Sequence, residues 1–93
     1  MKGRTELLNT WVPTLIDTLK ALHARGVCHG DIRPSNLMLH PTTGAIYLTD
    51  FGLAKHFQDF DQEYAEGRQQ DYDDLAYTLY CLECDAHHEN RPC

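Results

Sequence analysis

An α+β fold is predicted from three features of the sequence. An apolar stripe with helical spacing runs near the start, two short β-prone runs follow with turn residues between them, and a second helical stripe begins at about residue 71.

In the first segment, residues 7–25, Leu8, Trp11, Val12, Leu15, Ile16, Leu19 and Leu22 fall three or four apart, which gathers them on one helix face. Asn9 or Thr10 offers a side-chain oxygen to cap the start. Pro13 has no N–H to give and therefore belongs in the first turn, while Gly26 supplies a left-handed residue to end the helix. Leu37, Met38 and Leu39 then form a short apolar run, and residues 45–49 form a second one rich in β formers. Pro41-Thr42-Thr43-Gly44 between them has strong turn chemistry, so the pair reads as a β-hairpin. Residues 53–70 are polar and read as irregular. Leu75, Leu79 and Leu82, with Tyr72 and Thr78, restore a helical stripe over residues 71–83. Residues 84–93 lack periodicity and read as a frayed, disordered tail.

A chain of 93 residues has room for one small domain with a limited core. Fourteen acidic against eight basic side chains give a net charge of -6, which disfavours nucleic acid as a partner. The charged start is followed by no apolar run long enough for a signal sequence or a membrane span, so a soluble, cytoplasmic protein is expected. In that setting the four cysteines are expected to be free thiols.

The residues that carry chemistry lie between positions 29 and 52. Transfer of a phosphoryl group from ATP needs a carboxylate to orient the attacking hydroxyl and oxygen ligands to hold magnesium against the phosphates. His29-Gly30-Asp31-Ile32-Arg33-Pro34-Ser35-Asn36 sets a carboxylate and an amide five residues apart, and the hairpin returns the chain to Asp50-Phe51-Gly52. This order resembles the protein kinase family, whose catalytic loop reads His-Arg-Asp-x-Lys-x-x-Asn and whose magnesium motif is Asp-Phe-Gly. The resemblance covers residues 7–83 and implies that residues 1–83 form part of a kinase C-lobe, with ATP and magnesium as cofactors and a protein Ser or Thr hydroxyl as acceptor.

By that resemblance Asp31 is the catalytic base, Asn36 and Asp50 are metal ligands, and Arg33 stands where a lysine normally meets the transferred phosphate. Met38 and Thr49 line the adenine floor. His29, Phe51 and Gly52 give structural support, and Asp71 starts a helix beneath the catalytic loop, with Ala76 replacing a usual glycine. The His-Gly-Asp triplet is also similar to the small kinase of the KEOPS complex and to aminoglycoside and choline phosphotransferases. Arg33-Pro34 and Asp50-Phe51-Gly52-Leu53-Ala54 favour the protein kinase side.

The sequence departs from the family pattern at several places. Gly30 replaces an arginine that pairs with a phosphorylated loop, and residues 51–77 contain no serine or threonine, leaving Tyr64, Tyr72 and Tyr77 as acceptors there. None of the six glycines falls in Gly-x-Gly-x-x-Gly spacing, and no lysine sits in a Val-Ala-Ile-Lys-like strand. The chain is therefore expected to be a piece of a kinase that transfers phosphate poorly alone, or a non-catalytic module that binds nucleotide or docks to a partner supplying the other lobe. Its stripe from Leu75 to Leu82 is expected to find little to bury against.

Two further clusters carry simpler readings. Cys81 and Cys84, with His87, His88 and Cys93, have zinc-ligand residue types, although thiols three apart on a helix more often just pack. Asp59, Asp61, Glu63, Glu66, Asp71, Asp73 and Asp74 form an acidic run that reads as a solvated loop.

Overall fold

A computed structural model describes residues 4–87, with side-chain surroundings for residues 9–83. Helix α1 spans Arg4–Ala24 and turns the expected stripe inward from Trp11 on, with Leu15 and Leu19 fully enclosed and Trp11, Ile16 and Leu22 packed beside them, while the Leu8 side chain lies outside the described ones. It begins earlier than its capping residues suggested, so Asn9 and Thr10 are interior and Pro13 lies in mid-helix. The helix survives because Asn9, whose carbonyl loses its partner at Pro13, is on the exposed side and meets water. Gly26 ends the turn with φ +78, donating its N–H to the His23 carbonyl at 2.9 Å. A Cβ there would collide with the Phe57 carbonyl, whose own residue donates its N–H to the Gly26 oxygen at 2.7 Å.

Beyond that turn, strand β1 (Val27–Cys28) pairs antiparallel with β4 (Lys55–His56), Val27 opposite His56 and Cys28 opposite Lys55. Strands of two residues are too short to show alternation, so this ribbon left no mark in the sequence pattern. The hairpin is present as expected: β2 (Leu37–Leu39) faces β3 (Ile46–Leu48), with Leu37 opposite Leu48. Ile46 and Leu48 point into the core while Tyr47 between them is exposed, the alternation of a sheet with one wet face. His40 N–H to Ala45 O at 2.8 Å closes the turn.

The largest departure from the sequence reading is helix α2, which spans Gln62–His87. Nine residues read as polar loop are therefore helical, and so are residues 84–87 of the supposed tail, while residues 88–93 lie outside the described part of the chain. The polar segment is helical because Gln, Glu and Arg are good helix formers and because side chains one turn apart bond along its surface: Gln62 to Glu66, Gln69 to Asp73 and Gln70 to Asp74. Asp61 accepts the Tyr64 N–H at 3.3 Å and caps the start. The acidic run is thus largely a helix surface.

Leu15, Leu19, Ile32, Ile46, Leu48 and Leu75 form one core between the two helices and the hairpin. Leu75 is buried and Leu79 packs against it, so the second stripe is covered by α1 more fully than expected, although Tyr77 and Tyr80 remain exposed. Three polar residues of α2, Tyr64, Asp71 and Thr78, are also buried, and their sevenfold spacing puts them on the same helix face. No helix among the described residues is long and apolar enough to cross a membrane.

Replacing Leu19 with Ala leaves a cavity at the centre of this core and should lower the unfolding free energy by about 2–5 kcal/mol. Leu53→Ala, at a position 60% exposed, should change it by less than about 0.5 kcal/mol. Urea unfolding of the two variants measures the contrast.

Candidate active site

The segment from His29 to Asn36 lies between β1 and β2 and has no regular structure beyond a short 3-10 turn at its end, Pro34–Asn36, so the loop owes its shape to side chains rather than to a ladder. Asp71 provides most of it. Its Oδ2 accepts the His29 backbone N–H at 2.8 Å and its Oδ1 the Gly30 N–H at 3.0 Å. His23, from the last turn of α1, donates Nε2–H to Oδ2 at 2.8 Å. All three donors meet a carboxylate with no solvent exposure, where each charge-assisted bond contributes about 1.5–3 kcal/mol.

His23 itself is held from the other side, because the Tyr64 hydroxyl donates to its carbonyl oxygen. Further along α2, Thr78 donates its hydroxyl to the Ile32 carbonyl at 3.4 Å. Neither His23 nor Tyr64 stood out as a site residue in the sequence, yet a clue was present: His23 lies four residues after Leu19, on the buried face of α1. His23, Cys28 and Asp71 each place one possible ligand atom within 4.8 Å of the others. The Asp71 oxygens are already committed to three donors, so this cluster is a hydrogen-bond hub. Burial pushes the Cys28 thiol pKa up, the Asp71 charge pushes it further, and Arg68 partly opposes them.

His29 is fully buried and links the two halves of the motif. Its Nδ1 accepts the Asp31 N–H at 3.1 Å, which leaves Nε2 to carry the proton it donates to the Thr49 carbonyl at 2.8 Å. Its ring also meets Phe51 edge to face at 4.7 Å. Gly30 has φ +83, and a Cβ there would stand 2.7 Å from the Leu53 carbonyl oxygen, so the loop and the segment after Gly52 touch backbone to backbone.

The Asp31 carboxylate is held by two neighbours. Arg33 Nε donates to Oδ1 at 3.0 Å, and Asn36 Nδ2 donates to Oδ2 at 3.1 Å and to the Asp31 carbonyl at 2.8 Å. The Asn36 amide nitrogen is thereby turned toward Asp31 and its oxygen is left for another partner. Asn36 and Thr49 are the next pair beyond the hairpin register, joined by Thr49 N–H to Asn36 O at 2.8 Å, and Asp50 follows directly. Asp50 takes a left-handed conformation, φ 59, which an aspartate tolerates because its short side chain accepts the Gly52 N–H at 3.3 Å.

The structure therefore brings Asp31, Arg33 and Asn36 into direct contact and ties Asp50 to them only through its neighbour Thr49, while Asp71 holds the loop through His29 and Gly30, and the His29 ring meets Phe51. Met38 lies on the exposed face of the hairpin opposite Tyr47, whereas Thr49 is half-buried and committed through its carbonyl to His29. Of the zinc candidates Cys81 is half-buried, while the Cys84 and His87 side chains, His88 and Cys93 lie outside the described residues. Of the tyrosines open to modification, Tyr64 is buried with its hydroxyl bonded, while Tyr77 is exposed.

The protein kinase domain profile matches residues 4–79. The chain belongs to the protein kinase family. Glycogen synthase kinase 1 of Pyricularia oryzae is 49% identical over 45 residues, 48% of this chain and 11% of that protein. The protein kinase gsk3 of Schizosaccharomyces pombe is 47% identical over 45 residues, 48% of this chain and 12% of that protein. A serine/threonine-protein kinase of Arabidopsis thaliana, AtPK1/AtPK6, is 36% identical over 56 residues, 60% of this chain and 12% of that protein. The matches thus span 11–12% of these relatives' own lengths. These relatives are glycogen synthase kinase-like and other Ser/Thr protein kinases and lend no support to the KEOPS likeness.

Removing the hub should show first in this kinase loop. Asp71→Ala strands three buried donors and should lower stability by about 3 kcal/mol or more, whereas Tyr64→Phe, which loses one bond, should cost about 1 kcal/mol. Hydrogen exchange at the His29 and Gly30 amides, together with urea unfolding, separates the two effects.

Proposed function

We propose that residues 29–52 form the base-and-metal half of a site that transfers phosphate from magnesium-ATP to a protein Ser or Thr hydroxyl. The observation that carries this is the contact of the Asp31 carboxylate with Arg33 and Asn36, with Asp50 next along the chain from Thr49, whose N–H bonds the Asn36 carbonyl. The donor set suits magnesium: an Asn36 amide oxygen with no hydrogen bond among the described residues and an Asp50 carboxylate are both hard oxygen ligands. When bound, magnesium-ATP supplies the phosphoryl group and the cation charge that neutralises it.

In this reading Asp31 orients the acceptor hydroxyl and takes its proton. Arg33, which lies over Asp31 here, turns to the phosphate oxygens, offering a planar fork in place of a compact ammonium. Met38 and Thr49 border the adenine. Residues 1–83 are read as part of a catalytic domain whose phosphate-covering lobe comes from a partner or another segment of chain, because an open site leaves the phosphates in water and loses preorganised electrostatics. A second reading, a module that binds nucleotide without turnover, is favoured by the way Arg33 and Asn36 already occupy both Asp31 oxygens.

The purified chain should bind ATP in a magnesium-dependent way, with Asp50→Ala weakening binding about tenfold or more and Asp31→Ala leaving it nearly unchanged. Absence of any magnesium-dependent binding would sink both readings. Transfer to a Ser/Thr peptide should be slow and abolished by Asp31→Ala, and Arg33→Lys should leave or raise it; transfer that persists in Asp31→Ala would rule out the assigned base.

A further inference from the structure

A cleft of about 560 Å³ is walled by the β1–β4 ribbon, the 3-10 turn Phe51–Leu53 and the first turns of α2. Its size falls within the range of ordinary small-molecule clefts, about 300–1,000 Å³. The walls meet where two glycines allow close approach. A Cβ on Gly67 would stand 2.9 Å from the Cys28 Sγ, and one on Gly30 would stand 2.7 Å from the Leu53 carbonyl oxygen. All four residues border the cleft, so it is pinched between α2 and β1 and again between the loop and the 3-10 turn. A slot bounded in this way suits one compact molecule better than a length of extended chain.

From these features we infer that the cleft binds a small amphipathic ammonium, its apolar body against Leu53, Phe57 and Cys28 and its N–H donors toward Glu63, Glu66 and Gln70. The inference stands apart from the phosphotransferase reading, which assigns no role to these six side chains. The apolar share comes from Leu53, Phe57 and Cys28, whose thiol stays neutral because burial raises its pKa. Glu63, Glu66 and Gln70 fall three and four residues apart on α2 and share one face, so they act together on one head group.

That face is rich in acceptors. The Gln70 amide nitrogen is donated to Asp74 at 2.8 Å, which leaves the Gln70 amide oxygen with no hydrogen bond among the described residues. Glu66 accepts the Gln62 amide at 3.2 Å through one oxygen and keeps the other for a ligand. Charge then decides the sign of the head group. Lys55, the cross-strand partner of Cys28, is the one cation on the lining, against two carboxylates. A cation is therefore drawn in, while an anion finds Lys55 alone to hold it and two glutamates to repel it. Both glutamates are exposed, so each contact strengthens binding severalfold at most and weakens in salt.

The test uses the purified, isotope-labelled chain and three probes with one apolar body and different head groups: phenylbutylamine, phenylbutanol and phenylbutyrate. In NMR titrations the Gly30, Lys55, Gly67 and Gln70 amide resonances should move with the amine, which should bind about fivefold or more tighter than the alcohol at low salt. The carboxylate should move none of them, and the amine's advantage should shrink as salt is raised. Glu63→Gln with Glu66→Gln should bring the amine down to the alcohol's affinity and leave the alcohol unchanged. Leu53→Asn should weaken the amine and the alcohol alike while unfolding by urea stays unchanged. Equal affinity for the three probes, tighter binding of the carboxylate, or an amine preference that survives the double replacement would overturn the inference. So would resonance changes confined to residues away from the cleft. A chain that doubles in mass in solution and takes up none of the probes would overturn it too, because a second copy then fills the cleft.

Discussion

The fold depends on one buried carboxylate. Asp71 sits in the core without exposure and receives the backbone N–H groups of His29 and Gly30 and the imidazole of His23. A charge in that position is tolerable only because its donors are complete, and the same donors would be unsatisfied without it. The exchange joins three pieces of chain that no sheet connects: the end of α1, the loop after β1 and the middle of α2. It also explains why His29 can act as a second relay, passing the loop's position on to Thr49 and so to Asp50.

That relay gives the site a rigid back and a less constrained front. Behind the loop, His29, Asn36 and Thr78 are buried and bonded to carbonyls or to the carboxylate they support. At the front, the Arg33 side chain is 61% exposed and holds Asp31 through a water-facing ion pair, the kind of contact that contributes little to stability and yields to a competing anion. A phosphate group is such a competitor, so the residue with the weakest structural commitment is the one best able to change partners.

Legibility in the sequence followed the same division. The stripe of α1 was readable because Leu15 and Leu19 repeat at helical spacing, and the hairpin because Pro41 to Gly44 breaks two β-prone runs. The contact of Asp31 with Asn36 is legible because their order and separation match a known loop, and the hairpin register then puts Asn36 opposite Thr49, next to Asp50. The first nine residues of α2 were not, since their helicity comes from side-chain pairs and a cap that carry no apolar period. Pro13 misled for the opposite reason, as a local rule was overridden by a solvated carbonyl and a well-buried helix face. The structural roles of His23 and Tyr64 are not legible because they lie in a contact between residues 41 apart, which no local pattern encodes.

The spacing of Tyr64, Asp71 and Thr78 along α2 gives the helix the character of a ruler. Each mark is two turns, about 10.5 Å, from the next, and each meets a different part of the opposing chain: the His23 carbonyl, the two loop amides and the Ile32 carbonyl. Adding or deleting a single residue between the marks would rotate everything beyond it by about 100° and take at least one mark off its target. The turn between β2 and β3 has no such constraint and can lengthen freely. Changes in chain length that preserve this fold should therefore gather at residues 40–45 and avoid residues 64–78.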